Sequence, residues 1–385
     1  MPSTIKKTLT SFPKKVLRRI LRHLGEDDLS ALAATCRIAV RIVRHTVLMS
    51  AVRFRKINEM VSPPGSGCIA GPTRVALNNL SIELISVIIG NLGPMRMISF
   101  SRTCRKYRAA YLTHIHSETK KEISRFDIDP EDLMRALLKT GGIVVGSIPI
   151  RVLTGGNFKP SDLDIIVPAS AEDTIKVLIA TKFGYSSTGS EVLKGVNPSL
   201  RVEHTFRKKS LVIKIRVAKG ENAVVPVMLS HSTIAMNYIS PWGIFSAYPQ
   251  LTLANRALFN HYTDDEFGDS LGINYRRVVE IFDKYSNRGI QFAMDASPWY
   301  NTSAHKCYSS SLCTHTIRTL YDKGSIFIRF PGREHQRKYL SNVIRYNERH
   351  TVVWSLGGNY CNQADIFHRA FSISQRVFPE YANLY

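Results

Sequence analysis

Acidic residues are scarce in this chain. Thirty Asp and Glu stand against 52 Lys and Arg in 385 residues, a formal net charge of +22. Long apolar runs are missing too. No stretch approaches the 18 uninterrupted apolar residues that a membrane-spanning helix needs, so no membrane span is expected. The six cysteines, at 36, 68, 104, 307, 313 and 361, lack the paired spacing of a secreted disulfide scaffold. The opening MPSTIKKTLTSFPKK has no apolar run followed by a cleavage site. These absences point to reduced thiols and to the cytoplasm or nucleus.

What is present is ordinary in one respect. A hydrophobic fraction of 44% is that of a globular protein, and the length suffices for two or three cored domains. An excess of positive charge attracts nucleic acid, anionic lipid or an acidic partner. Here the basic residues are spread along the chain, and only short runs such as Arg207-Lys208-Lys209 stand out. That distribution reads as a solvated face. An RNA-binding protein stays open as an alternative, with Tyr339 and Tyr346 beside Arg333, Arg337 and Lys338 as candidate base-stacking positions.

Composition divides the chain. Residues 11–60 read as helical, 61–77 as a linker rich in Pro and Gly, and 78–125 as helical again. Residues 130–300 alternate short strands with helices, and 301–385 read as a β-rich extension. The two helical regions repeat one pattern. Val16, Ile20, Leu21 and Leu24 match Leu84, Ile88, Ile89 and Leu92; Thr35-Cys36-Arg37 matches Thr103-Cys104-Arg105. Phe12-Pro13 opens the first helix, where proline loses no hydrogen bond. Gly25 is placed to end it, and Gly93-Pro94 takes the turn in the second copy.

Both blocks resemble the F-box motif: Leu-Pro, aliphatic pairs, a Leu before the turn, then Asp-Leu and Cys-Arg. The first keeps Phe12-Pro13, Asp28-Leu29 and Cys36-Arg37. The second keeps Leu80, Glu83 and Cys104-Arg105, with Ser81 at the proline position. The resemblance implies docking on a Skp-type adaptor of a cullin–RING ubiquitin ligase. Phe12, Pro13, Val16, Ile20 and Leu24, or Leu80, Leu84, Ile88 and Leu92, would make the contact. The client is unnamed by the sequence.

A second pattern lies between 141 and 168. Ile143-Val144-Val145 leads into Gly146-Ser147, and Asp162-Leu163-Asp164 opens an apolar strand. Residues two apart on a strand face one side, so the aspartates form a pair. Carboxylates suit Mg²⁺, and a Gly-Ser turn admits phosphate oxygens to backbone N–H groups. The stretch resembles the Gly-Ser…Asp-x-Asp signature of polymerase-beta-type nucleotidyltransferases. That implies Asp162 and Asp164 as metal ligands, and as the catalytic pair if the domain is active. Gly146 and Ser147 would contact the nucleotide. The family also requires a third carboxylate on the following strand, where LVIKIRV offers Lys214 and Arg216. Glu203 is the nearest substitute.

With residues 226–260, including His231-Ser232-Thr233 and Met236-Asn237, the whole resembles fungal F-box proteins that carry a nucleotidyltransferase-like domain. The expected fold is therefore α+β: helical F-box units, then a mixed-sheet nucleotidyltransferase-like domain with a β-rich extension. The expected role is a substrate adaptor whose body performs no catalysis and needs no cofactor. A Mg²⁺-dependent nucleotidyltransferase is the alternative. Two further candidates are weighed against ordinary burial and set behind it. His231 beside Ser232 lacks a neighbouring acid, and His305, Cys307, Cys313 and His315 fit no common structural-zinc spacing.

Overall fold

A computed structural model describes residues 82–193, 197–260, 271–300, 310–314, 316–320, 322–332 and 352–356. The first helical block, with Phe12, Pro13, Val16, Ile20 and Leu24, lies outside the described residues, as does Leu80. The chain divides into two compact units, Met1–His114 and Ile115–Tyr385.

The described part of the first unit is helical. Helix α1 spans Ile82–Gly90 and α2 spans Pro94–Ser101. Gly93-Pro94, expected at the turn, follows that turn directly: Gly93 is the extended N-cap of α2 and Pro94 its first residue. Helix α3, Arg105–Ser124, follows after a short turn. Ile85 and Ile89 are buried one turn apart on α1, and Leu92 in the turn after it and Met97 on α2 are buried as well.

The second unit is built on one mixed sheet. Helix α4 (Pro130–Thr140) leads into β1 (Ile143–Val145), and α5 (Ser147–Thr154) into β2 (Asp162–Val167). Helix α6 (Glu172–Thr181) precedes β3 (Ser186–Val192), β4 (Leu200–Lys208) and β5 (Leu211–Ala218). A one-turn α7 (Val225–Met228) follows, then β6 (Asn237–Ser240) and β7 (Gly243–Ser246). After α8 (Pro249–Thr252) come β8 (Arg256–Leu258), α9 (Leu271–Ser286) and β9 (Gln291–Ala293). The last strands among the described residues are β10 (Arg318–Thr319), β11 (Ile326–Arg329) and β12 (Val353–Trp354).

Eight strands form the main sheet in the order β11-β7-β6-β1-β2-β5-β4-β3. Only β2 and β5 run parallel within it; that pairing needs a crossover, which α6 and the β3–β4 hairpin supply. The architecture is α+β with a mixed sheet. No helix among the described residues is long and apolar enough to cross a membrane.

Local chemistry sets these elements. Asp129 caps α4 by accepting from the Asp132 N–H at 2.9 Å, and Pro130 fills the first helical position. Gly141 ends α4 in the left-handed conformation that glycine adopts without penalty. The central strands alternate faces. Leu163, Ile165 and Val167 are buried on one side; Ile143, Val145 and Ile166 face a core shared with Met228, Tyr248, Leu251 and Trp354. Each such aliphatic side chain contributes about 1.5–3 kcal/mol on full burial.

Candidate functional site

The site grows from the middle of the sheet. Register places Val145 opposite Asp164, and Asp164 beside Lys214 on the parallel neighbour. The β4–β5 hairpin turns through Lys209-Ser210, with Lys208 opposite Leu211, and so sets Glu203 opposite Arg216. Period-2 alternation then puts Asp162, Asp164, Glu203, Lys214 and Arg216 on one face.

The five groups form a chain of ion pairs. Arg216 Nε donates to Glu203 Oε2 at 2.7 Å, and its Nη2 lies 3.1 Å from Asp164 Oδ1. Lys214 Nζ is 3.4 Å from Glu203 Oε1 and 3.8 Å from Asp162 Oδ2. Burial pushes the Asp164 carboxyl above its usual range; Arg216 opposes the shift and Asp162 adds to it. Glu203 goes the other way. Burial would raise it, but the Arg216 guanidinium and Lys214 outweigh that and hold it below the ordinary carboxylate value. The Arg216 guanidinium, opposed by burial, is held in its charged form by Asp164 and Glu203.

Gly146 meets this cluster, and Ser147 is its neighbour in the chain. Gly146 sits at φ 73°, and a Cβ there would lie 2.4 Å from Asp164 Oδ2. Only glycine lets the backbone come so near that carboxylate. Ser147 opens α5 fully buried, and its hydroxyl has no hydrogen-bond partner. Asp164 Oδ1 has the ion-pair contact with Arg216 but no aligned hydrogen bond. Orphaned buried polar atoms are uncommon in native proteins and call for an explanation.

The sequence-predicted pairings can now be placed. Gly146, Ser147, Asp162 and Asp164 do converge. Glu203 joins them, but as the partner of two cations. A two-metal centre needs carboxylate oxygens free to bind cations. Here Lys214 and Arg216 already occupy the space between the acids, so these residues do not suit a divalent pair. No group of three or more His, Cys, Asp or Glu side chains arranged to hold a metal occurs among the described residues. Set against known proteins, the chain matches no family model and no curated protein.

Other sequence candidates fall in various places. Ile88 is half-buried and Leu92 buried within the first unit; the Leu84 side chain lies outside the described residues. His231 Nδ1 and Ser232 Oγ are 2.8 Å apart, yet Ser232 is fully buried. Burial, aided by Arg216 and Lys284, lowers the His231 pKa to about 4, and the ring lies against Phe282 and Tyr285. Of the zinc candidates only Cys313 is described; it is buried and in no disulfide. Arg333, Arg337, Lys338, Tyr339 and Tyr346 lie outside the described residues.

Proposed function

We propose that the chain is an F-box-type substrate adaptor. Its helical amino-terminal unit docks on a Skp-type subunit of a cullin–RING ubiquitin ligase in the cytoplasm or nucleus. Its nucleotidyltransferase-like body recognises a client or ligand and transfers no nucleotide. The repeated helix–turn–helix block supports the docking half. The antiparallel β1–β2 pair joined by a helix that begins at Gly-Ser, with a parallel third strand, supports the kinship of the body. The observation that carries the silent body is the ion-pair chain from Asp162 through Lys214, Glu203 and Arg216 to Asp164. Cations stand where phosphoryl chemistry needs an acid.

The test is co-purification of the intact chain with a Skp-type subunit. A stoichiometric complex is expected, lost in Leu24→Asp or in Ile88→Asp according to which copy docks. Ile88 is half-buried and is a better probe than the buried Leu92, whose replacement by Asp would unfold the helices. A folded intact chain that forms no such complex would overturn the adaptor reading.

The unpartnered Ser147 hydroxyl favours one addition, a nucleotide or other phosphate ligand held without turnover. Calorimetric titration with ATP in EDTA should then give binding that Ser147→Ala weakens. Incorporation of labelled nucleotide, abolished by Asp162→Asn/Asp164→Asn, would instead establish the enzyme.

A further inference from the structure

The opposite face of the same sheet carries a second constellation, built from residues that the proposed function does not use. His204 follows Glu203 on β4 and therefore points away from the acid cluster. Its Nδ1 lies 2.7 Å from Ser190 Oγ, directly across the β3–β4 ladder. Its Nε2 lies 2.8 Å from Glu172 Oε1, at the start of α6. Glu172 is in turn held by Arg201, with Lys176 Nζ at 3.7 Å. The imidazole is buried at 7% exposure, while Ser190 sits on an edge strand that is exposed throughout.

We propose that Ser190 is an activated nucleophile for acyl transfer from small carboxylic esters. A hydroxyl bonded to a base, itself oriented by a third group, is the arrangement that activates a serine. The Nε2 contact to the Glu172 carboxylate fixes the proton on Nε2. That leaves Nδ1 as the acceptor for the Ser190 proton. In the reaction Ser190 Oγ bonds to the acyl carbon as its proton passes to His204. The bond to the leaving alcohol then breaks, and His204 returns the proton to the departing oxygen. Water, deprotonated by His204, releases the acid and restores the serine. The pair Ser232–His231 is an internal contrast: similar hydroxyl-to-ring distance, but a fully buried hydroxyl, with Phe282 and Tyr285 against the ring.

The test uses the intact chain and p-nitrophenyl acetate, with peptide mapping of the acetyl group. A burst of nitrophenolate and acetylation at Ser190 are expected, and both vanish in Ser190→Ala. General-base assistance contributes about 10²–10⁴-fold, so His204→Gln should slow the burst at least 100-fold. Glu172 is a positioning residue. In Glu172→Gln the burst should slow about tenfold, and ring ¹⁵N shifts should show that His204 has lost its single tautomer. Ser190→Ala changes an exposed side chain, so it stays readable even if His204→Gln fails to fold. Acetylation confined to lysines, or a burst unchanged in Ser190→Ala, overturns the proposal.

Discussion

Two arginines in the second unit, Arg318 buried and Arg216 half-buried, teach opposite lessons. Arg318 is fully paired. Its Nε donates to Asp322 Oδ2 at 2.6 Å and its Nη2 to Asp322 Oδ1 at 2.9 Å. Nη1 reaches the Ser311 carbonyl and Nη2 also the Ala247 carbonyl, while the guanidinium lies over Tyr248 and Trp354. Asp322 also accepts from the Thr319 and Gly324 N–H groups. Arg216 is the central cation of a network that is not closed. Asp164 Oδ1 lacks an aligned hydrogen bond, and the hydroxyl of Ser147, next in the chain to Gly146, has no partner. A satisfied polar network ties a fold together; a buried polar group left open calls for a bound water, ion or ligand, or for strain, to account for it. The Arg318 cluster reads as structure and the Arg216 cluster as a site.

The largest expected effect breaks the closed network. Arg318→Ala strands Asp322 and two carbonyls, and should cost about 3–5 kcal/mol in urea unfolding. Arg216→Met leaves Asp164 and Glu203 facing each other and should cost about 2–3 kcal/mol at neutral pH. Its pH dependence sharpens the contrast. Glu203 is held below its ordinary value, so its contribution is complete above that value and is lost as pH falls through the folded pKa. Asp164 is raised, so it costs stability as pH climbs from its ordinary value through the folded one. Without Arg216 both acids resist ionisation, and the deficit of Arg216→Met should shrink toward pH 4. A deficit independent of pH would mean that packing, not charge, is lost.

Smaller effects follow. Gly146→Ala forces a Cβ against Asp164 Oδ2 at a left-handed backbone position, and should cost about 1–2 kcal/mol. Ser147→Ala removes a hydroxyl with no partner, so stability should stay within about 0.5 kcal/mol. A cost above about 1 kcal/mol there would show that the hydroxyl is bonded, and the two arginine clusters would then differ less than described.

Much of the sheet was legible in the sequence. Alternation in Asp162–Val167 and in Leu211–Ala218 gives β2 and β5, and the Arg207–Ser210 run marks the hairpin between β4 and β5. The Gly-Ser and Asp-x-Asp convergence was legible too, because strand period fixes the face. The role of Glu203 was readable only by counting back from the turn, where Lys208 opposite Leu211 forces Glu203 opposite Arg216. Arg318 and the Ser190–His204–Glu172 chain were missed. Glu172 and His204, and Arg318 and the Ala247 carbonyl, come together from segments remote in sequence, and the Arg318–Asp322 pair lies in a loop with no strand or helix period to announce it. The helical repeat in residues 11–60 stands outside the described residues, so it rests on its pattern alone.

The central claim is that Arg216 and Lys214 take the place of metal in the acid cluster. Electron paramagnetic titration of the intact chain with Mn²⁺ addresses it directly. The account predicts that the Mn²⁺ signal falls no more in the wild type than in Asp162→Asn/Asp164→Asn. One or two ions bound by the wild type and released by that double substitution would contradict it.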